Sequence, residues 1–116
     1  MSTRYIPNRN DIIWLDFEPT KGKEIGKYRP AYVLSSRQYN EKTTLLICCP
    51  ISTSIRGQVS EVPLDCLDQP SVIATSIIQT LDWKNRSAKY ITCAPEDILD
   101  DVLCRVIPLI GGEHLL

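Results

Sequence analysis

Two short stretches of this chain gather reactive side chains where a fold can hold them. The first is Thr20-Lys21-Gly22-Lys23-Glu24-Ile25-Gly26-Lys27-Tyr28-Arg29-Pro30. A glycine-containing loop delivers a carboxylate, Glu24, and the cations Lys21, Lys23 and Lys27, then enters an extended segment at Arg29-Pro30. An arginine at a strand start is backed by the sheet, and its planar guanidinium can grip a phosphate through two parallel hydrogen bonds. Glu24 can orient that arginine or take a proton, or it can be an ordinary solvated loop charge. The loop lacks the GxxxxGK[ST] spacing of a Walker nucleotide loop. The second stretch is Pro50-Ile51-Ser52-Thr53-Ser54-Ile55-Arg56-Gly57. Three hydroxyls followed by a cation and a glycine can hydrogen-bond phosphate oxygens, and the same residue types also serve plain turns. Both stretches point to one chemistry, the handling of a phosphate.

Other chemistries are disfavoured. The five cysteines are odd in number, with no CxxC pair, which argues against a disulfide framework or a tetrahedral zinc site. They read as five buried thiols in a reducing cytoplasm, since free cysteine packs as a small hydrophobe. The one histidine, His114, sits near the C-terminus, a poor place for a serine triad or a histidine metal cluster.

These residues need a scaffold. The chain has 116 residues, enough for a single domain over 1–116 with one real core. No apolar run reaches the roughly 18 residues of a membrane-spanning helix, and the N-terminal residues lack the apolar core of a secretory signal. The expected location is the cytoplasm. Asp11 to Phe17 alternates as a strand with Ile13, Leu15 and Phe17 on a buried face. Pro30 to Ser35 reads as a second strand, with proline at its first residue. Arg37 to Lys42 reads as one helical turn. Leu45 to Ile51 is a continuous apolar run and so a central strand. Val59 to Leu64 alternates again, Ser71 to Leu81 holds one or two strands, Lys84 to Ala88 turns, and Tyr90 to Cys93 is a short strand.

The last segment reads as helix. Pro95 suits the first turn, and Glu96 and Asp97 complement the positive end of the helix dipole. Ile98, Leu99, Val102, Leu103, Val106 and Ile107 form one apolar stripe, which Pro108 and Gly111-Gly112 should end. Six or seven short strands closed by a C-terminal helix give a mainly β fold, a small bent barrel or a two-sheet sandwich.

The net charge of −1 excludes a uniformly basic nucleic-acid binder, but the charge is polarised. From Thr20 to Lys42 there are six cations against two anions, and Lys84, Arg86 and Lys89 form a second basic cluster. From Ala94 onward there are five anions against Arg105. Such a molecule can hold a polyanion on one side. Trp14, Tyr28, Tyr32, Tyr39 and Trp83 are candidates to stack on bases, though most aromatics of a small barrel belong to its core.

The set Arg4-Tyr5-x-Pro7, Asp11-x-Ile13-Trp14-x-Asp16-Phe17-x-Pro19-Thr20-Lys21-Gly22-x-Glu24, Arg29-Pro30-Ala31-x-Val33-Leu34-Ser35, Tyr39-Asn40 and Lys42-Thr43 resembles the MazF/PemK family, most nearly its MazF branch. The resemblance continues through Pro50, Gly57, Trp83, Arg86 and Ala94-Pro95-Glu96 and spans essentially the whole chain. Asp-x-x-Trp, Pro-Thr-x-Gly-x-Glu and Arg-Pro are its specific elements. It implies an SH3-like barrel with a C-terminal helix, acting as a homodimer. It also implies the toxin of a type II toxin–antitoxin pair, an endoribonuclease that cuts single-stranded messenger RNA and so arrests translation and growth under stress. Such enzymes need no cofactor and no metal. The 2′-hydroxyl attacks the neighbouring phosphate and leaves a 2′,3′-cyclic phosphate and a 5′-hydroxyl. The implied partners are RNA and a cognate antitoxin with an acidic C-terminal tail, with DNA reached only through the antitoxin and no membrane.

The family's catalytic arginine falls on Arg29, its loop glutamate on Glu24 and its catalytic threonine on Ser52, with Thr53 beside it as the other candidate. The implied RNA groove takes in Lys21, Lys23, Lys27, Tyr28, Arg56, Gln79, Lys84 and Arg86. The chain departs from the family pattern where a Glu-Gln pair becomes Glu24-Ile25, and where an Asp-Gln or Asn-Gln pair followed by a basic residue, upstream of Trp83, becomes Ser76-Ile77-Ile78-Gln79. Those departures bear on which RNA motif is cut. The other readings are a degenerate relative that no longer cuts, and a gyrase-poison-like barrel that binds a protein target. Successive strand residues face opposite sides, so only one of Ser52 and Thr53 can share a site with Arg29, and the other should pack or cap the turn.

Overall fold

The computed structural model describes residues 4–19, 22 and 26–116. Seven strands run as β1 Asp11–Asp16, β2 Tyr28–Val33, β3 Leu45–Ser52, β4 Glu61–Leu64, β5 Ser71–Ala74, β6 Gln79–Asp82 and β7 Lys89–Cys93. Helix α1 (Arg37–Thr43) lies between β2 and β3, and α2 (Asp97–Leu109) follows β7. Every pairing is antiparallel, and the sheet order is β4-β5-β3-β2-β1-β7 with β6 also on β3. The sheet curls because β3 changes partner along its length. Leu45 to Cys48 pair with β6, whereas Ile51 and Ser52 pair with β5. Pro50 lies in the changeover, where β3 is paired on its β2 side alone and a missing N–H on the other side costs no ladder bond.

The period-2 alternation divides the core between the two sheet faces. Ile12, Tyr32, Cys49, Ile51 and Ile73 join one cluster with Ile98, Val102 and Val106 of α2. Ile13, Leu15, Phe17, Ala31, Val33, Leu46 and Cys48 join a second one, closed by Leu81 and Trp83. Burial of a large aliphatic side chain contributes about 1.5–3 kcal/mol, so these two layers dominate the fold's stability.

Three sequence expectations need correction. β2 starts at Tyr28, so Pro30 is its third residue. It is tolerated there because pairing with β3 begins only at Ala31. Pro108 does not stop α2 but sits in its last turn. The stop is Gly111 at φ +89°, a left-handed conformation that glycine adopts without strain. The Gly112 N–H then donates to the Ile107 carbonyl (2.9 Å) and the Gly111 N–H to the Pro108 carbonyl (3.2 Å), a Schellman closure. Finally, only Cys48 and Cys49 are buried, while Cys66, Cys93 and Cys104 are exposed free thiols. Cys66 follows β4 in a loop, Cys93 ends the edge strand β7, and Cys104 faces away from the buried stripe of α2.

Candidate active site

The register of the sheet assembles the site. β2 and β3 pair at Ala31↔Pro50, Tyr32↔Cys49 and Val33↔Cys48 and then part. Carried two residues further, that register sets Arg29 opposite Ser52. On the far side of β3, Ser52 pairs with Val72, and Glu61 of β4 pairs with Ala74 of β5. Ala74 lies two residues along β5 from Val72, so Arg29, Ser52, Val72, Ala74 and Glu61 share one face of the sheet, and all five line a cleft of about 320 Å³. Gly26, Ser54, Arg56, Gln58, Ser60, Ser76 and Ile77 complete its walls.

Arg29 is half-buried, and the loss of hydration pulls its guanidinium pKa below the ordinary arginine value. It remains a cation near neutrality. Its Nε donates to the Gly26 carbonyl at 2.7 Å, which fixes the plane of the fork. Among the described residues no carboxylate lies within ion-pair distance of it. Ser52 Oγ accepts a hydrogen bond from the Ser54 N–H (3.0 Å), so Ser52 itself caps the turn after β3.

Thr53 takes the opposite direction. It is exposed and lines a different depression with Trp14, Pro30 and Ile91. The expectation that only one of the two hydroxyls shares the Arg29 face matches this arrangement. The expectation that Thr53 packs or caps is corrected, because the capping residue is Ser52.

The remaining candidates disperse. Lys21, Lys23 and Glu24 lie outside the described residues. Lys27 is exposed at φ 71°, and its N–H donates to Glu18 Oε1 at 2.7 Å. Tyr28 stacks on Trp14 with ring centroids 5.4 Å apart, and its hydroxyl donates to the Ser87 carbonyl at 3.1 Å. Arg56 lines the cleft. Gln79 begins β6 opposite Cys48, with its amide donating to the Ile77 carbonyl, and is not in the cleft wall. Lys84 is exposed beside Arg4, Tyr5 and Asn85 in another depression. Arg86 is committed to structure, for its Nη1 donates to the carbonyls of Asp16 (3.0 Å) and Glu18 (2.8 Å) and locks the end of β1. Of the aromatics, Tyr32 and Trp83 are core residues, and Trp14, Tyr28 and Tyr39 are exposed.

Glu61 was missed from sequence. The pattern Val59, Glu61, Pro63 reads as a solvent face, and only the β4–β5 register brings that face to the cleft. Ser76 and Ile77 enter through a single 3₁₀ turn, Thr75–Ile77, that no periodicity announces. Among the described residues no cluster of three or more histidine, cysteine, aspartate or glutamate side chains is arranged to hold a metal ion.

A curled antiparallel sheet with a C-terminal helix, carrying an arginine and a serine in one cleft, defines a small mainly β fold, and comparison with known proteins names its family. Residues 8–110 match the family model described as PemK-like, MazF-like toxin of type II toxin-antitoxin system, and the chain belongs to that family. It is 39% identical over 112 residues to the endoribonuclease toxin MazF of Escherichia coli strain K12, an alignment covering 96% of this chain and all of that protein. It is 32% identical over 104 residues to the endoribonuclease toxin ChpB of the same organism, covering 84% and 89% of the two chains. The crystal structure of MazF from Deinococcus radiodurans superposes with a TM-score of 0.89 at 36% identity, covering 93% of this chain and 99% of that one. A MazE–MazF complex from the same organism superposes at 0.80 and 33% identity, again over 93% and 99%.

Proposed function

We propose that this chain is the toxin of a type II toxin–antitoxin pair and an endoribonuclease that cuts single-stranded RNA without a metal ion. The observation that carries this reading is the placement of Arg29 and Ser52 on one face of one cleft. A ribose 2′-hydroxyl gives up its proton to a base of the site or to water as its oxygen attacks the adjacent phosphorus, forming a phosphorane that carries extra negative charge. The 5′-oxygen then leaves and takes up a proton, giving a 2′,3′-cyclic phosphate and a 5′-hydroxyl.

A guanidinium held by the sheet and by Gly26 is preorganised for that charge, and one such donor is worth about 3 kcal/mol of barrier. Ser52 is placed to hydrogen-bond a phosphate oxygen or pass a proton, and Glu24 is assigned its part by family resemblance. Arg56 on the cleft wall draws in the RNA backbone, and Lys21, Lys23 and Lys27 are assigned to RNA binding by family resemblance.

An antitoxin partner is supported by the solved MazE–MazF complexes of the Deinococcus protein. We assign this chain a partner with an acidic tail that competes with RNA for the cationic loops. A homodimer is supported by an apolar groove along α2, where Leu99, Leu103, Ile107 and Ile110 meet Leu34, Ile47 and Ile78. The location assigned is the cytoplasm, and no helix among the described residues is long and apolar enough to cross a membrane. A barrel that only binds a protein target has no need of an arginine and a serine facing one polar cleft, so the gyrase-poison-like reading is the weaker one.

The test is incubation of purified protein with mixed-sequence RNA in EDTA. Cleavage to cyclic-phosphate and 5′-hydroxyl ends is the expected result. Activity lost in EDTA, or products with 5′-phosphates, would overturn the mechanism.

A further inference from the structure

Glu61 presents a puzzle in this cleft. A polyanion-binding wall carries a carboxylate, on the same sheet face as Arg29 and Ser52. Its charge repels the substrate, so its retention needs another cause.

The hydrogen bonds supply one. Glu61 Oε1 accepts from the Arg56 N–H at 3.1 Å and from the Gln58 N–H at 3.3 Å, and Oε2 lies 3.4 Å from the Arg56 nitrogen. Gly57 between these two residues has φ +70°, the left-handed turn that lets alternate N–H groups converge. The Glu61 N–H in turn donates to the Gln58 carbonyl at 3.0 Å. Just beyond, the Ser60 carbonyl accepts from both the N–H and the hydroxyl of Thr75, and the Val59 carbonyl accepts from Arg105 Nη1 at 3.0 Å. The loop after Ser52 is thus pinned at its C-terminal foot, and the Glu61 carboxylate extends the pinning up to Arg56.

We infer that Glu61 is a positioning residue: its side chain clasps the loop 53–60 and thereby holds Arg56 on the cleft wall as a phosphate contact. The consequence for RNA rests on the ribonuclease reading, while the clasp does not. Oε1 receives a bond from each amide and Oε2 only the longer share of the Arg56 N–H, so the neutral carbonyl of glutamine at the Oε1 position keeps the two shorter bonds. Glu61→Gln should keep the loop ordered and remove a repulsive charge, whereas Glu61→Ala should release the loop.

The test compares wild type, Glu61→Ala, Glu61→Gln, Arg56→Ala and the Glu61→Ala/Arg56→Ala double variant in two measurements. Hydrogen exchange of the loop amides is followed without RNA. Binding of a short mixed-sequence RNA with methylated 2′-hydroxyls, which cannot be cut, is followed across a salt series. Glu61→Ala should speed loop exchange by about tenfold or more, the loss of two charge-assisted bonds, and Glu61→Gln should stay near wild type. The salt slope of binding should fall by about 0.7 in Glu61→Ala, the share of one phosphate contact on a single strand, and by the same amount in Arg56→Ala. The double variant should bind no more weakly than Arg56→Ala, and Glu61→Gln should bind at least as tightly as wild type.

Unchanged loop exchange in Glu61→Ala overturns the clasp. Faster exchange with an unchanged salt slope, or additive losses in the double variant, overturns the role assigned to Arg56. A wild-type protein that binds no RNA overturns the ribonuclease reading, and the exchange data still decide the clasp.

Discussion

Arg29 of β2 and Ser52 of β3 lie in register with one another in a shared cleft, two residues past Ala31 and Pro50, the last positions at which these two strands pair with each other. The sheet fixes their direction, and the parting of the strands leaves their polar ends free of ladder bonds to each other. Arg29 also donates from Nε to the Gly26 carbonyl, so its fork is oriented before any phosphate arrives. Arg29→Ala should therefore lower the single-turnover cleavage rate about 10²–10³-fold, with the melting temperature little changed. Arg29→Lys should restore only a small part, because a point charge has neither the planar fork nor a counterpart of the Nε bond. A lysine variant near the wild-type rate would sink the bidentate argument.

Asn40 is a structural counterpart to these reactive groups. It is fully buried in α1, its Nδ2 donates to the carbonyls of Pro7 (2.8 Å) and Ser35 (3.3 Å), and its Oδ1 accepts from Ser35 Oγ. Ser35 Oγ in turn accepts from the Ile47 N–H at 2.8 Å, tying β2, α1 and β3 together. Asn40→Ala leaves several buried polar groups without partners and should cost about 2–4 kcal/mol. Thermal melting reads that loss, while the cleavage rate per folded molecule should be unchanged.

The thiols give a pH-dependent prediction. Burial pushes Cys49 from its ordinary 9.0 up to about 12, and Cys48 higher still, as burial is reinforced by the neighbouring Cys49. Both are held neutral in the fold. The unfolded chain releases these protons from about pH 9 upward, so between that pH and about 12 the native state binds more protons than the unfolded state. Stability from this source is complete below pH 9 and declines as pH rises through that window. Cys49→Ala should flatten the alkaline limb of a melting-temperature profile. A thiol reagent at neutral pH should modify Cys66, Cys93 and Cys104 in the native protein, and all five cysteines only in denaturant.

The alternation of Ile12 through Phe17, the apolar run from Leu45 and the stripe Ile98, Val102, Val106 made the strands and α2 legible, because burial on a defined face leaves a period in the sequence. Arg29 and Ser52 were legible as candidate phosphate ligands from their loops and from family resemblance, and the fold sets both on one cleft. Register is not written in either strand alone, so the inclusion of Glu61 could not be read. Arg86 shows the opposite limit. In sequence it is one of a basic cluster, and only the fold shows that its guanidinium is spent on the carbonyls of Asp16 and Glu18. The stop of α2 at Gly111 rather than Pro108 has a similar origin. A proline in the last helical turn loses little, and the left-handed glycine makes the closure.

The sharpest division lies between Ser52 and Thr53. They are adjacent, yet Ser52 faces the Arg29 cleft and Thr53 the depression beside Trp14 and Pro30. Ser52→Ala removes the one hydroxyl of the pair that can reach a phosphate held by Arg29, and should lower the cleavage rate by about one to three orders of magnitude, or about 1.4–4 kcal/mol of barrier. It also removes the acceptor for the Ser54 N–H, an exposed turn bond worth about 0.5–1.5 kcal/mol, so a modest fall in melting temperature should accompany it. Ser52→Thr should keep both functions, since the hydroxyl is retained and a β-branched residue suits the end of a strand. Thr53 is exposed, and its truncation should change stability by no more than about 0.5 kcal/mol and leave the rate near wild type. Single-turnover kinetics on one short RNA, with a melt of each variant, measures the rate and the stability of all three. If Thr53→Ala cost the larger share of the rate while Ser52→Ala stayed near wild type, the reacting phosphate would lie on the Trp14 face of the sheet and the assignment of the cleft would fail with it.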